Sequence, residues 1–403
     1  MTITHPGSTF SVPAAKSGGC PFDPPPAYQR ARDEQPVTRV TLWDGSQCWL
    51  VTRHQDIREA LRDRRLSSEA DRPGFPFITP NRRALASDRR GNTSFIRMDD
   101  PEHARLRKML TPDFMIKKTE TLRPRIQEIV DDFLDRMIAK GAPADLVADF
   151  ALPIPSLVIC LLLGVDYADH EFFQERSRIM LHNNTTPEQV AEARDDLLDY
   201  LGDLAAAKRA RPDDSIIGKL AARPELSHDE VASMGLLLLI AGHETTANMT
   251  ALGTLALLRN PGQLAALRDD PALAPSAVEE LLRYLTIVQS GVARVAKDDL
   301  EIGGETVRAG EGVLFMISAA NRDPEAFPWG DDLDITQDAR RHLAFGFGVH
   351  QCLGQPLARV ELQVALATLV RRLPGLRLAI PFEDVRFRTD MAIYGVHELP
   401  VAW

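Results

Sequence analysis

Cysteine is scarce in this chain, with four residues in 403, and positions 20, 48, 160 and 352 show no paired spacing. A disulfide framework or a cysteine-built metal cluster is therefore not expected, and a reducing cytoplasm fits best. Long apolar runs are missing too. The eight residues Met234–Ala241 fall far short of the ~20 that a membrane span needs. Met1 to Gly7 has neither a basic region nor an apolar run, so no signal peptide or membrane anchor is read there. Positive charge is not in excess: the net charge is −10, which opposes binding to nucleic acid unless a basic face is concentrated, and none is evident. Repeats and low-complexity tracts are absent beyond a Pro/Gly-rich opening. Residues 1–26 are thus read as an extended N-terminal segment of one domain spanning 1–403, since no linker divides it.

What is present is ordinary globular composition, 44% hydrophobic and 26% charged, enough for a large core. Asp44-Gly45 between Val37–Trp43 and Ser46–Thr52 signals a two-residue hairpin, and Gly303-Gly304 signals another between Leu300–Ile302 and Thr306-Val307. Elsewhere the 3.6-residue period dominates. Helices are expected over Asp56–Asp63, Pro101–Thr111, Leu122–Lys140, Pro155–Leu163, Pro187–Arg209, His228–Asn260, Ala274–Leu285 and Pro356–Leu373. Strand-like segments return from Leu376 to Trp403. The fold class is mainly α with small β-sheets.

Cys352 stands apart from the other cysteines. It closes the run Phe345-Gly346-Phe347-Gly348-Val349-His350-Gln351-Cys352 and precedes Leu353-Gly354-Gln355-Pro356. The glycines let backbone N–H groups approach the sulfur, and Pro356 with Leu357, Val360, Leu362 and Val364 marks a helix starting just beyond. A helix N-terminus favours an ionised thiolate, so this sulfur either binds a metal or attacks a substrate. By contrast, Cys160 lies in an apolar run as a small buried hydrophobe.

A second site interrupts the long helix at Ala241-Gly242-His243-Glu244-Thr245. A threonine hydroxyl can bond back to the i−4 carbonyl, here Ala241, and with Gly242 beside it the helix can admit water. The result is a polar notch in an apolar wall, against the plainer reading of a helix that surfaces at Glu244. Glu280 and Arg283 sit at i, i+3 on one helical face, as many surface pairs do. His103 and Arg107 sit at i, i+4 and offer two donors on one face.

The cysteine run resembles the haem-thiolate signature of the cytochrome P-450 family, Phe-Gly-x-Gly-x-His-x-Cys-x-Gly, at every position. The resemblance implies a triangular helical prism around haem b, with Cys352 as axial iron ligand and Phe345, Gly346 and Gly354 shaping its loop. Ala241, Gly242, Glu244 and Thr245 match the family's distal motif, whose carboxylate and hydroxyl manage the protons for oxygen activation. Glu280 and Arg283 resemble its structural Glu-x-x-Arg element. His103, Arg107, Arg294 and His350 fill its propionate positions, with Arg105, Lys108 and Arg359 read as solvated.

The activity so implied is monooxygenation: one atom of O2 enters a lipophilic substrate. Pocket walls are expected from Phe75, Phe77, Leu237, Ile240, Ile287, Val288, Val292 and Ile393, with Arg72, Arg82, Arg83, Arg89 and Arg90 either favouring an acidic group or, the preferred reading, forming a solvated loop. No Gly-x-Gly-x-x-Gly follows a strand and no cysteine cluster exists, so electrons must come from outside. A ferredoxin with its reductase is the usual arrangement, meeting basic residues such as Arg105, Lys108, Arg340, Arg341 and Arg359; a monomer is expected. Rival readings are a nitric oxide reductase of the same fold fed directly by NADH, a peroxide-driven hydroxylase, which usually lacks the acid-alcohol pair, and a non-catalytic haem sensor. The reduced protein under carbon monoxide should show the red-shifted Soret band of thiolate ligation, and Cys352→Ala should abolish it; a spectrum typical of histidine-ligated haem would refute the assignment.

Overall fold

The computed structural model describes residues 12, 14, 16, 20–87 and 94–403. Most of the expected N-terminal extension, and Arg89 and Arg90 with it, lies outside these. The eight expected helices all form, with ends displaced by a few residues: His54–Ala60, Glu102–Leu110, Arg123–Lys140, Pro153–Leu163, Pro187–Ala210, His228–Arg259, Ala274–Leu285 and Gln355–Arg372. Shorter helices were not legible, among them Pro26–Glu34, Pro80–Ser87, His170–Leu181 and Pro261–Asp269. His170–Leu181 buries only Phe173 and Ser177, too little to stamp a period on its sequence.

Both hairpins form, but only the second has the expected two-residue turn, with Ile302 opposite Glu305 around Gly303-Gly304. In the first, Val37 opposite Val51 puts Leu42 opposite Ser46, so the loop is three residues, Trp43-Asp44-Gly45, with Gly45 in the left-handed region at φ +80°. The first belongs to a five-stranded sheet ordered Val37–Thr41, Gln47–Val51, Gly312–Phe315, Val292–Ala296, Leu66–Ser67. Gly312–Phe315 is buried at every position, so it shows no alternation and reads as a plain apolar run. It pairs in parallel with the first hairpin, Trp49 opposite Val313, and antiparallel with Val292–Ala296.

The long helix His228–Arg259 starts at a capping box, in which Ser227 accepts from the Glu230 N–H while the Glu230 side chain accepts from the Ser227 N–H. It packs against Pro187–Ala210, Pro153–Leu163 and Gln355–Arg372, so its apolar surface is nearly all around. Gly242 permits the closest approach, since a Cβ there would meet the Ile159 side chain at 2.8 Å. No described helix is long and apolar enough to cross a membrane.

Glu280 and Arg283 are both fully buried. Arg283 holds the Glu280 carboxylate through Nε at 2.7 Å and Nη2 at 2.8 Å, and donates to the carbonyls of Asn321, Gly330 and Asp332. Glu280 also accepts from the Asp334 N–H at 2.9 Å. The pair therefore fastens the helix Ala274–Leu285 to the irregular segment 321–334, which leads into the cysteine loop. Removing one partner strands the other charge in the core, so Arg283→Met should lower unfolding free energy by about 3–5 kcal/mol in denaturant titrations; a loss under ~1 kcal/mol would place the pair among ordinary surface contacts.

Candidate functional site

The cysteine loop is held from both sides. Cys352 N–H donates to the Phe345 carbonyl at 2.8 Å, and Gly346 N–H to Leu343 at 2.8 Å. Gly348 has φ +75°, and a Cβ there would lie 2.2 Å from the Leu61 carbonyl oxygen, so only glycine fits. Cys352 itself is open on one side. Burial in the surrounding protein pushes its thiol pKa up, while the N–H groups of Gly354 and Gln355 and the charges of Arg107 and Arg359 act the other way. These influences act on the sulfur before any metal is bound; a metal cation beside it would favour the thiolate.

On the long helix, Ala241 is exposed and Leu237, Ile240 and Thr245 are half-buried, while the residues between them are mostly buried. Positions 237, 241 and 245 lie one turn apart, so they make one open stripe. Thr245 Oγ1 donates to the Ala241 carbonyl at 2.8 Å. Glu244, the next residue back, points elsewhere: it is buried, with Oε2 accepting from Arg388 Nη1 at 3.1 Å and Asn248 Nδ2 at 3.2 Å. Behind it lies a separate cavity of about 460 Å³ that includes Glu171, Gln174, Arg178, Arg388 and His397 in its wall. The acid and the alcohol thus face different spaces, linked by one turn of helix. Arg388 could not be found from sequence, because it lies 144 residues away.

The four donors His103, Arg107, Arg294 and His350 converge with two residues that the sequence did not mark. The His103 and His350 rings lie with centroids 4.0 Å apart, tilted by 37°. His103 Nδ1 meets Asp100 at 3.2 Å and His350 Nε2 meets Ser68 Oγ at 2.6 Å. The other nitrogens, His103 Nε2 and His350 Nδ1, are buried without a hydrogen-bond partner. Arg107 donates to the Gln351 carbonyl at 2.5 Å, and Arg294 to its neighbour Ala293 at 2.7 Å. Burial, with Arg97 nearby, pulls Arg294 down to about 10; burial, Arg294 and His103 pull His350 to about 3. Asp99, which counteracts both shifts, already binds Lys297 at 3.1 Å and the Ser68 N–H. Unpartnered imidazole nitrogens, which donate when the rings are protonated, and under-neutralised guanidinium groups fit the two carboxylates of a haem, as the open cysteine fits its iron.

The structure does not bring the expected pocket residues together around a single cavity. Ile240 lines a cavity of about 240 Å³ together with Arg82 and Arg97. Leu237, Val288 and Ile393 are half-buried and Ile287 is buried; all four pack on the main core, where Val288 bridges Ile393. Val292 begins the strand Val292–Ala296 and packs on the sheet core. Phe75 and Phe77, 5.1 Å apart, line a different cleft that contains Leu42 and Asp44.

Of the arginines expected in a solvated loop, Arg72 and Arg83 are exposed and pair at the surface with Glu69 and Asp44, whereas Arg82 departs from the expectation and turns inward. The basic face expected to meet an electron carrier is largely self-neutralised. Arg105 pairs with Glu102 and Glu230, Arg340 with Asp338, and Arg359 with Glu279. Arg341 donates to the Ala326 carbonyl at 2.6 Å. Arg359 is therefore not solvated; it also lies 4.7 Å from the centre of the Phe345 ring, on the cysteine loop.

A family model described as Cytochrome P450 matches residues 188–374. Cytochrome P450-SU2 of Streptomyces griseolus is 64% identical over 400 residues, covering 99% of this chain and 98% of that protein. Pentalenic acid synthase of Streptomyces avermitilis is 50% identical over 407 residues, spanning 100% of both. Among solved structures, the mycinamicin VIII C21 methyl hydroxylase of Micromonospora griseorubida, bound to mycinamicin VIII, is 40% identical with a TM-score of 0.91, covering 98% of this chain and 100% of that one.

Glu279 ties the cysteine loop to its helix. Burial pushes its carboxyl pKa up, but His342 at 3.2 Å and Arg359 at 2.6 Å outweigh this and hold it at about 2. Its folded pKa lies below the ordinary 4.5, so its contribution is complete above that pH and is lost as pH falls toward 2. Glu279→Gln should therefore narrow the stability gap to wild type steadily between those pH values in urea titrations; a constant gap would show that the ionised carboxylate contributes nothing.

Proposed function

We propose that this chain, which belongs to the cytochrome P450 family, is a haem-thiolate monooxygenase that hydroxylates a lipophilic organic molecule. The observation that carries this reading is the set of buried imidazole nitrogens at His103 and His350 that have no partner among the described residues, with Arg294 and Arg107 beside them, next to the open Cys352 loop. In this reading Cys352 ligates iron and those four residues hold the propionates of haem b. Phe345, Gly346 and Gly354 shape the loop, and Ala241 keeps the distal wall shallow. Bound there, a thiolate-ligated haem supplies oxygen activation, because sulfur donation favours O–O cleavage.

The chain's own residues then manage protons and water. Thr245 spends its own hydrogen on Ala241, so its oxygen is free to accept from a water on the open stripe and to aim that water's other hydrogen. Glu244 stands between this stripe and the solvent-side cavity, held by Arg388 and Asn248. A proton entering from that cavity reaches the carboxylate first and the Thr245 side after a rotation of the Glu244 side chain. General acid catalysis through such positioned groups contributes roughly 10²–10⁴-fold.

In this reading electrons come from a separate ferredoxin and its reductase. Lys108, exposed and without an acidic partner among the described residues, is a contact for such a carrier, and the paired arginines are weaker ones. We place the protein in the cytoplasm as a monomer acting through a single domain. Thr245→Ala should keep the carbon monoxide band but lower product formation by about 10²-fold, with reducing equivalents appearing as hydrogen peroxide; unchanged coupling of reductant to product would remove Thr245 from proton delivery.

A further inference from the structure

The proposed function leaves the substrate as a lipophilic molecule of unstated charge, and the cavity beside the distal helix bears on that. It holds about 240 Å³ and is lined by Ile240 of the long helix His228–Arg259, by apolar Met180, Leu181 and Val190, and by two arginines, Arg82 and Arg97. Arg82 is set on the helix Pro80–Ser87 and is half-buried. Among the described residues neither guanidinium has an acidic partner. His182, the remaining titratable group on the wall, is committed to Asp390 at 2.9 Å. Arg97 rests over the Phe75 ring at 5.5 Å and lies close enough to both Arg82 and Arg294 to depress each.

Two guanidinium groups facing one apolar cavity are costly. Burial first, then repulsion from Arg97, pulls Arg82 down to about 10, yet it remains cationic at neutral pH. Side chains in such surroundings are normally matched by carboxylates. Arg97, beside Arg294, borders the cluster read as the propionate site. Arg82 is influenced by Arg97 but not by Arg294, Arg107, His103 or His350, so it is not one of the groups assigned to the two haem carboxylates. Its planar fork suits bidentate binding of a carboxylate or a similar delocalised anion.

We propose that Arg82, supported by Arg97, is an anion-binding subsite that takes the carboxylate, or a comparably acidic group, of an otherwise apolar substrate and so fixes which end faces the haem. This rests on the monooxygenase reading. Apolar walls at Met180, Leu181 and Ile240 accept the hydrocarbon portion, while Arg82 selects against neutral analogues of equal size.

The test uses the haem-loaded full chain and two matched probe pairs, 4-phenylbutyrate against 4-phenylbutan-1-ol and laurate against dodecan-1-ol, followed by calorimetry and by the Soret spin-state shift. Each acid should bind on the order of tenfold more tightly than its alcohol, the difference expected for one charge-assisted contact. Arg82→Gln should erase that preference by weakening acid binding alone, and Arg82→Lys should retain part of it. The proposal is overturned if neither acid binds more tightly than its alcohol in the wild-type protein, a comparison that needs no variant, or if Arg82→Gln leaves the preference intact. The carbon monoxide band separates the two readings: with the band present and the preference absent, only the anion subsite fails, whereas absence of the band in the wild type removes the monooxygenase reading itself.

Discussion

Positive charge kept in the interior without matching negative charge is the constraint on which this structure depends. Arg107, Arg294 and Arg97 gather beside two closely packed imidazoles whose remaining nitrogens have no partner among the described residues. A protein folding for itself alone would neutralise or exclude such groups, because a buried cation without a partner is destabilising by several kcal/mol. The arrangement makes sense as half of a binding equilibrium in which haem contributes the anions and iron contributes the cation for Cys352. The sulfur shows the same dependence: protein burial raises its pKa, and the N–H groups that shape its surroundings do not reverse this. Folding and cofactor binding are therefore coupled by charge.

That coupling needs rigid supports, and they are the fully paired charges. Glu280 and Arg283 are as buried as any core residues, yet every polar atom of the guanidinium reaches an acceptor. Glu279 with Arg359 and His342 fixes the cysteine loop against its helix. The contrast between satisfied and unsatisfied charge thus separates scaffold from site. On the distal side the same logic divides neighbours: Glu244 is held by Arg388 and Asn248, while Thr245 lies on the open stripe.

Much of the fold was legible in the sequence because long amphipathic or fully apolar helices carry a strong period, and Asp44-Gly45 and Gly303-Gly304 can make few other turns. The short helix His170–Leu181 and the strand Gly312–Phe315 were not, since the first buries too few residues and the second is buried on both faces. At the site, the local motifs around Cys352 and Glu244-Thr245 could be read because their chemistry depends on neighbours in the chain. Arg388, Ser68 and Arg97 were missed because their meaning comes from residues brought close only by folding. Arg82 and Arg359 were misread as solvated for the same reason, as composition does not say which way a long side chain turns.

By itself the sequence determined the helical class, the hairpin positions and the thiolate loop, for these follow from periodicity and from backbone rules that act over a few residues. Only the tertiary structure decided which charges are balanced and which are left to a ligand. Charge balance in a low-dielectric interior is a sum over groups from the whole chain, and that sum exists only once the chain has folded.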